Sequence, residues 1–207
     1  MPISVSATRM ELLRLRRRLI VAQRGHKLLK DKQEQLMQKI LELIAIIKGE
    51  RSRLAEQIKS IQQRLRYAEA CFGAEDYLKA LSEPSATINV ELGIHNVVNI
   101  NVPYLKTFEF TKAIVNYRFA YTSAELDISL YLLKELLPAL LNMAINEKTL
   151  ELLAEELERT RRRVNALEYV LIPQISEAIK YITMKLSEAE RANLTRLLRL
   201  KEIIRGS

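Results

Sequence analysis

Apolar residues return every three or four positions along the first third of the chain. Leu12, Leu15, Leu19, Ala22, His26, Leu29, Gln33, Leu36, Ile40, Leu43 and Ile47 follow alternating steps of three and four, and nine of these eleven are apolar. That rhythm is the a/d seam of a coiled coil. It resumes as Leu54, Ile58, Ile61, Leu65, Ala68 and Phe72. Bridging the two runs through Leu43, Ile47 and Arg51 takes two successive steps of four, so one stutter is expected there, next to Gly49. A second long run follows later in the chain. Leu126, Leu130, Leu133, Leu137, Leu140 and Ala144 lead into Leu150, Leu153, Leu157, Val164, Leu167, Leu171, Ile175, Ile179, Ile182 and Leu186.

Two helical arms are therefore predicted, with only about forty residues between them that break the pattern. The first arm has a stop signal at Leu81, Ser82, Glu83 and Pro84, because a proline biases its predecessor away from helical angles. The second has a start signal, Thr122 or Ser123 as N-cap with Glu125 in the first turn. Pro138 and Pro173 lie inside the second arm, each removing a hydrogen bond at a cost of about 3 kcal/mol. Bends are expected at both, with a break at Pro138 as the alternative; Leu171, Ile172 and Ile175 should carry the helix through Pro173.

Between the arms, residues 87–92 and 97–102 alternate as strands do, and residues 93–96 can turn the chain, which predicts a β-hairpin ended by Pro103. Tyr104, Phe108, Phe110, Tyr117, Phe119 and Tyr121 follow, half of the aromatic residues of the chain. They either pack this cap onto the end of the arms or form a surface for a partner. The fold class is mainly α: a long antiparallel two-helix coiled coil with a small β-hairpin cap in mid-chain. The expected divisions are residues 1–83, 84–122 and 123–207. Arms of about 75 to 80 residues would each be roughly 110 to 120 Å long at about 1.5 Å per residue, a rod folded back on itself.

Charge gives this rod a polarity. The formal net charge is +8, and residues 1–72 hold 16 basic against 7 acidic side chains, whereas residues 73–149 hold 6 against 9. Residues 191–207 are basic again. In antiparallel arms both basic segments meet at one end.

Candidate chemistry adds little. The two histidines, His26 and His95, lie in different elements, and the five glycines are dispersed, so neither a histidine metal cluster nor a phosphate loop is expected. Glu155 and Glu156 read as solvated or, for Glu155, paired with Arg159. No cofactor is implied, and the chain does not read as an enzyme on its own. Cys71, near a seam position, reads as a small buried hydrophobe in a reducing compartment. No uninterrupted run of about 18 apolar residues predicts a membrane-spanning helix, and the first residues do not resemble a signal peptide. His26 reads as a polar spacer in the seam, and Gly25 as a site of close approach by the second arm or by a surrounding collar. Arg161, Arg162 and Arg163 point in different directions around a helix, as a solvated belt or as a ring of contacts.

Two blocks carry a resemblance. TRMELLRLRRRLIVAQRGHKLLKDKQEQLM at residues 8–37 and ERTRRRVNALEYVLIPQISEAIKYITMKLSEAERANLTRLLRLK at residues 158–201, with SAELD at 123–127, resemble the D subunits of V-type and A-type rotary ATPases. The resemblance covers the arms; residues 84–121 match only in general character. It implies a central rotor shaft, one copy per complex, that transmits torque between a hexamer of catalytic A and non-catalytic B subunits and an ion-translocating membrane ring. A small F subunit of the rotor and a socket subunit would join it to the ring, on the cytoplasmic side and peripheral to the membrane, without membrane insertion or nucleic acid.

The seam that holds such a shaft together is Leu12, Leu15, Leu19, Leu29, Leu36, Ile40, Leu43, Ile47, Leu157, Val164, Leu167, Leu171, Ile175, Ile182 and Leu186. The resemblance places Arg9, Arg16, Arg17, Arg24, Arg161, Arg162, Arg163, Arg191, Arg196 and Arg199 against the hexamer, while the aromatic run itself offers Tyr104, Phe108, Phe110 and Tyr117 as the cap or partner surface. Two alternatives compete with this reading: a basic coiled-coil arm that binds nucleic acid, or a structural stalk outside an ATPase. Against the first, aromatic residues are not interleaved with the basic ones.

Overall fold

Thr8 opens the first helix. Its Oγ1 accepts the Glu11 N–H at 3.3 Å, and the Leu12 N–H reaches the Thr8 carbonyl at 3.1 Å. The side chain thereby satisfies one of the donors that a helix start leaves open, as the T-x-x-E spacing permits. From there helix α1 runs unbroken over Arg9–Phe72. The structure, a computed structural model, describes residues 6–72, 87–110 and 124–205. The expected stop at residues 81–84 and the N-cap at Thr122 or Ser123 lie outside the described residues, as do Tyr117, Phe119 and Tyr121.

Two strands follow, β1 (Ile88–Val97) and β2 (Ile100–Phe110), paired antiparallel from Ile88↔Phe110 to Val97↔Ile100. The hairpin is present, but its turn is not at residues 93–96. It falls at Val98 and Asn99, with φ of 50° and 65°, a primed turn that matches the twist of the strands. The Asn99 N–H donates to Asn96 Oδ1 at 3.0 Å and Asn96 Nδ2 donates to Asn101 Oδ1 at 3.2 Å, which compensates for a β-branched valine in the left-handed region. Gly93 serves a different purpose: it pairs with Tyr104, whose ring fills the space a Cβ would occupy. Pro103 does not end β2 but sits inside it opposite Ile94. A two-stranded sheet leaves alternate N–H groups pointing away from the partner strand, so a missing donor is tolerated. The register shifts between Glu91 and Leu92, leaving Lys106 as the extra residue of a bulge.

The second arm comprises α2 (Ala124–Ala166), a π-helical turn (Leu167–Leu171) and α3 (Ile172–Arg205). Pro138 does not break α2. Leu136 and Leu140, on either side of it, belong to a packed cluster whose burial offsets the lost hydrogen bond. The helix likewise continues through Pro173. There the π turn ends two residues before the proline and widens the helix where its ring would meet the carbonyl four residues back.

The chain divides into two compact units, Met1–Glu34 with Leu157–Ser207, and Gln35–Glu156. In each, α1 packs antiparallel to the second arm. The first unit centres on buried Leu15, Ile175 and Ile182, flanked by Leu12, Leu19, Leu171, Ala178, Ile179 and Leu186. The second centres on Leu54, Ile61 and Leu136, flanked by Ile58, Leu65, Leu132, Leu140 and Met143. One 18-residue window in the helix from Ala124 has a mean hydropathy of 1.5, apolar enough by length and composition to cross a membrane although no uninterrupted apolar run exists. Only about 11% of that window is buried, although Leu132, Leu136, Leu140 and Met143 pack against α1 within the second unit.

Three expectations about the seam change. The stutter does not pass through Arg51, which is exposed; the half-buried position is Glu50, whose carboxylate accepts Asn146 Nδ2 at 3.3 Å. In α2 the seam runs through Leu126, Ser129 and Leu136, while Leu133 and Ala144 are exposed. A leucine-rich stretch fits either phase, so the pattern there could not select one. Cys71 is exposed, because the buried position of that turn is Ala68.

Candidate functional site

All fifteen residues assigned from the sequence to the shaft seam are removed from solvent to some degree, unlike Leu133 and Ala144 of the longer apolar run. Leu15, Leu36, Ile40, Ile47, Val164, Ile175 and Ile182 are buried, and Leu12, Leu19, Leu29, Leu43, Leu157, Leu167, Leu171 and Leu186 are half-buried. Each fully buried aliphatic side chain contributes about 1.5–3 kcal/mol. Three polar seam residues are not evident from apolar spacing: Ser129, Thr149 and Thr160 are buried. Ser129 donates to the Glu125 carbonyl at 2.6 Å, whereas the Thr160 hydroxyl has no partner among the described residues. A signal for Thr160 does exist, since the step from Leu157 to Val164 omits the position three residues on.

The first unit brings the two basic segments together. Arg9 donates to Glu190 Oε1 at 2.6 Å across the pair, and His26 Nε2 lies 3.3 Å from Glu168 Oε2. His26 is thus a half-buried polar spacer with a partner on the other arm. Gly25 is not a point of close approach by the second arm, since a Cβ there would meet nothing within 4 Å.

Around this seam, Arg9, Arg16, Arg17, Arg24, Arg161, Arg162, Arg163, Arg191, Arg196 and Arg199 are all exposed. Arg162 bonds to Glu158 one turn earlier on the same helix, which holds the carboxyl of Glu158 below its ordinary value, first through the hydrogen bond and then through the guanidinium charge. Beyond Glu190, Leu194, Leu197, Leu198, Leu200, Ile203 and Ile204 are also exposed, interleaved with Arg196, Arg199, Lys201 and Arg205. Among the described residues this is a contiguous exposed aliphatic surface, of a kind associated with protein–protein contact. Charge marks this end in the sequence; its exposed leucines become evident only in the structure.

The second unit carries the hairpin, part of which lies beside α1 and α2. Val97, Val98 and Val102 share a cavity of about 730 Å³ with Leu43 and Ile46 of α1 and Ile145, Asn146, Thr149 and Leu153 of α2. Val102 is the buried residue of the hairpin, at 2% exposure. Phe108 and Phe110 meet edge to face at 5.1 Å, and Lys134 of α2 lies over the Phe110 ring at 5.1 Å. Tyr104 stands edge-on to His95 and remains exposed. Arg64 of α1 bonds to Glu125 of α2 at 2.9 Å.

Two long antiparallel helices zipped by an a/d seam, basic where the start of one meets the end of the other and flanked by one hairpin, define a coiled-coil stalk protein. The sequence profile of the ATP synthase D-subunit family matches residues 11–202. The V-type ATP synthase D subunit of Acetivibrio thermocellus is 46% identical over 206 residues, covering 97% of this chain and 91% of that one. The proteins of the same name from Thermoanaerobacter sp. strain X514 and Clostridium novyi are each 43% identical and span 98% of this chain, and 97% and 95% of their own length. The chain belongs to the ATP synthase D-subunit family, the central-stalk component of V-type ATP synthases.

Proposed function

We propose that this chain is the non-catalytic rotor shaft of its complex, on the cytoplasmic side of the membrane and peripheral to it. Residues 1–83 and 123–207 form the two arms of the shaft, and residues 84–122 form its β-hairpin and aromatic cap. The end that carries Arg9, Arg16, Arg17, Arg24, Arg191, Arg196 and Arg199 lies inside a hexamer of catalytic A and non-catalytic B subunits, with Arg161, Arg162 and Arg163 as a ring of further contacts. The small F subunit of the rotor and the socket subunit of the membrane ring bind the less basic part, with Tyr104, Phe108, Phe110 and Tyr117 on that surface. One copy serves each complex.

The observation that carries this reading is the uncovered end of α3, where Leu197, Leu198 and Ile204 are 61%, 62% and 74% exposed beside arginines. Aliphatic side chains in a bore slide past one another without a geometry to break, whereas tight ion pairs would resist turning. Two unlike helices also give the shaft a cross-section without rotational symmetry. Each catalytic site then faces a different surface, so rotation changes nucleotide affinity site by site, and nucleotide binding biases rotation in return.

Mixing the chain with purified A and B subunits tests the assignment. A stoichiometric complex of one chain per hexamer is the expected result, and failure to form it contradicts the assignment.

A further inference from the structure

The second arm holds one residue more than its seam needs. In the first unit, Leu157, Thr160, Val164, Leu167 and Leu171 are buried or half-buried at steps of three, four, three and four. The next step of three would reach Gln174, yet the buried residue is Ile175, and Ile182 follows seven later. From that point the pattern is displaced by one. The π turn Leu167–Leu171 lies at the displacement, and the Ile172 N–H bonds to the Leu167 carbonyl, five residues back. A single π turn stores one extra residue and leaves α-helix on both sides.

Two features hold that residue in place. On one side, Glu168 meets His26 of α1 at 3.3 Å. On the other, Pro173 has no N–H to give and would collide with the Tyr169 carbonyl in a regular α-helix. The turn itself is weakly packed: none of its five residues is buried, and Tyr169 is 72% exposed. Across from it, the space beside Gly25 is open.

We propose that this π turn is a torsional joint, a surplus residue stored where α3 can rewind against α2 without losing its seam. It rests on the rotor reading, since such a joint matters only in a helix pair under torque. Little side-chain packing opposes local rewinding at this turn, while the seams above and below are fixed by Val164 and by Ile175 with Ile182.

The test is a chain with Tyr169 deleted and Pro173→Ala, assembled into the complete ion-translocating complex beside the wild type and Pro173→Ala alone. Deletion brings Ile175 to the position the upstream rhythm calls for, so helicity and melting temperature of the isolated double variant should match or exceed the wild type, and the Ile172 amide should exchange more slowly. Ions moved per ATP hydrolysed should fall by about two- to thirtyfold, the fold-change to which the usual range of coupling changes converts, whereas Pro173→Ala alone, which keeps the surplus residue, should stay near wild type. A folded double variant with unchanged coupling overturns the joint and leaves the rotor reading standing. A double variant that does not fold shows that no residue was in surplus and also overturns it. Failure of the wild-type chain itself to join the A and B subunits overturns both.

Discussion

The ring of Tyr104 fills the place of a side chain on Gly93: a Cβ added there would lie 2.5 Å from the ring Cε1 and Cζ. The two residues are direct cross-strand partners. Gly93→Ala therefore pushes the phenol aside and should cost the hairpin about 1–3 kcal/mol by overpacking. Amide exchange over residues 88–110 should accelerate in Gly93→Ala, and Gly93→Ala with Tyr104→Ala should recover much of that loss. Equal acceleration in the single and double variants would disprove the contact.

Leu36 is 0% exposed in the seam. Leu36→Asp should destabilise the helix pair by about 3–5 kcal/mol, through the lost packing and a buried carboxylate. Two residues on, Gln38 is exposed, and Gln38→Glu should stay within about 0.5 kcal/mol of wild type. Thermal melts followed by circular dichroism check both, and full helicity at the wild-type midpoint in Leu36→Asp would refute the seam.

Gly25 is the half-buried glycine beside the seam whose Cβ would meet nothing. In the isolated chain Gly25→Ala should stabilise α1 by about 1 kcal/mol, because alanine restricts the unfolded chain and favours the helix. If a collar of partner subunits approaches that position, the same variant should bind the A and B subunits more weakly. Weaker binding together with a higher melting temperature would separate the two effects.

Glu158 supplies a pH test. Its carboxyl is depressed by the Arg162 hydrogen bond first and the Arg162 charge second. A depressed folded value means the pair stabilises above the ordinary carboxylate range, and this contribution disappears as the pH falls through the folded value. Both groups are fully exposed, so salt screens them. In low salt the wild type should lose stability on acidification faster than Glu158→Gln, and the difference should vanish at about 1 M salt, where the Debye length is about 3 Å.

Much of this was legible from spacing alone. The repeat of Leu15, Ala22, Leu29 and Leu36 at steps of seven specifies one face of a helix, because the apolar residues beside it, such as Leu13, Ile20 and Val21, do not sustain that spacing. Where leucines crowd, as around Leu132, Leu133, Leu136 and Leu137, two phases satisfy the same rule, and only contact with Leu54 and Ile61 selects one of them. The hairpin turn was obscured for the opposite reason. Asn96, Val97, Val98 and Asn99 contain no glycine, and the primed turn is held by the Asn96 side chain. The π turn leaves only a one-residue slip in the seam, visible once the buried residues on both sides are known. Of the candidate site, the arginines were found by charge, but the leucines at the end of α3 look like seam residues until their exposure is seen. Tyr104 and Phe110 were found as aromatics, but their neighbours Gly93 and Lys134 depend on strand register and on packing against α2.

The central claim is that this chain turns inside its complex. Cys71 is the single cysteine of the chain and is exposed, so a bead can be attached to it through a thiol linker in the assembled particle. With the A and B subunits fixed to a surface and ATP supplied, the bead should rotate in one direction in discrete steps, one for each catalytic site. A bead that stays fixed, or that only diffuses about a mean angle while ATP is being hydrolysed, would contradict the account.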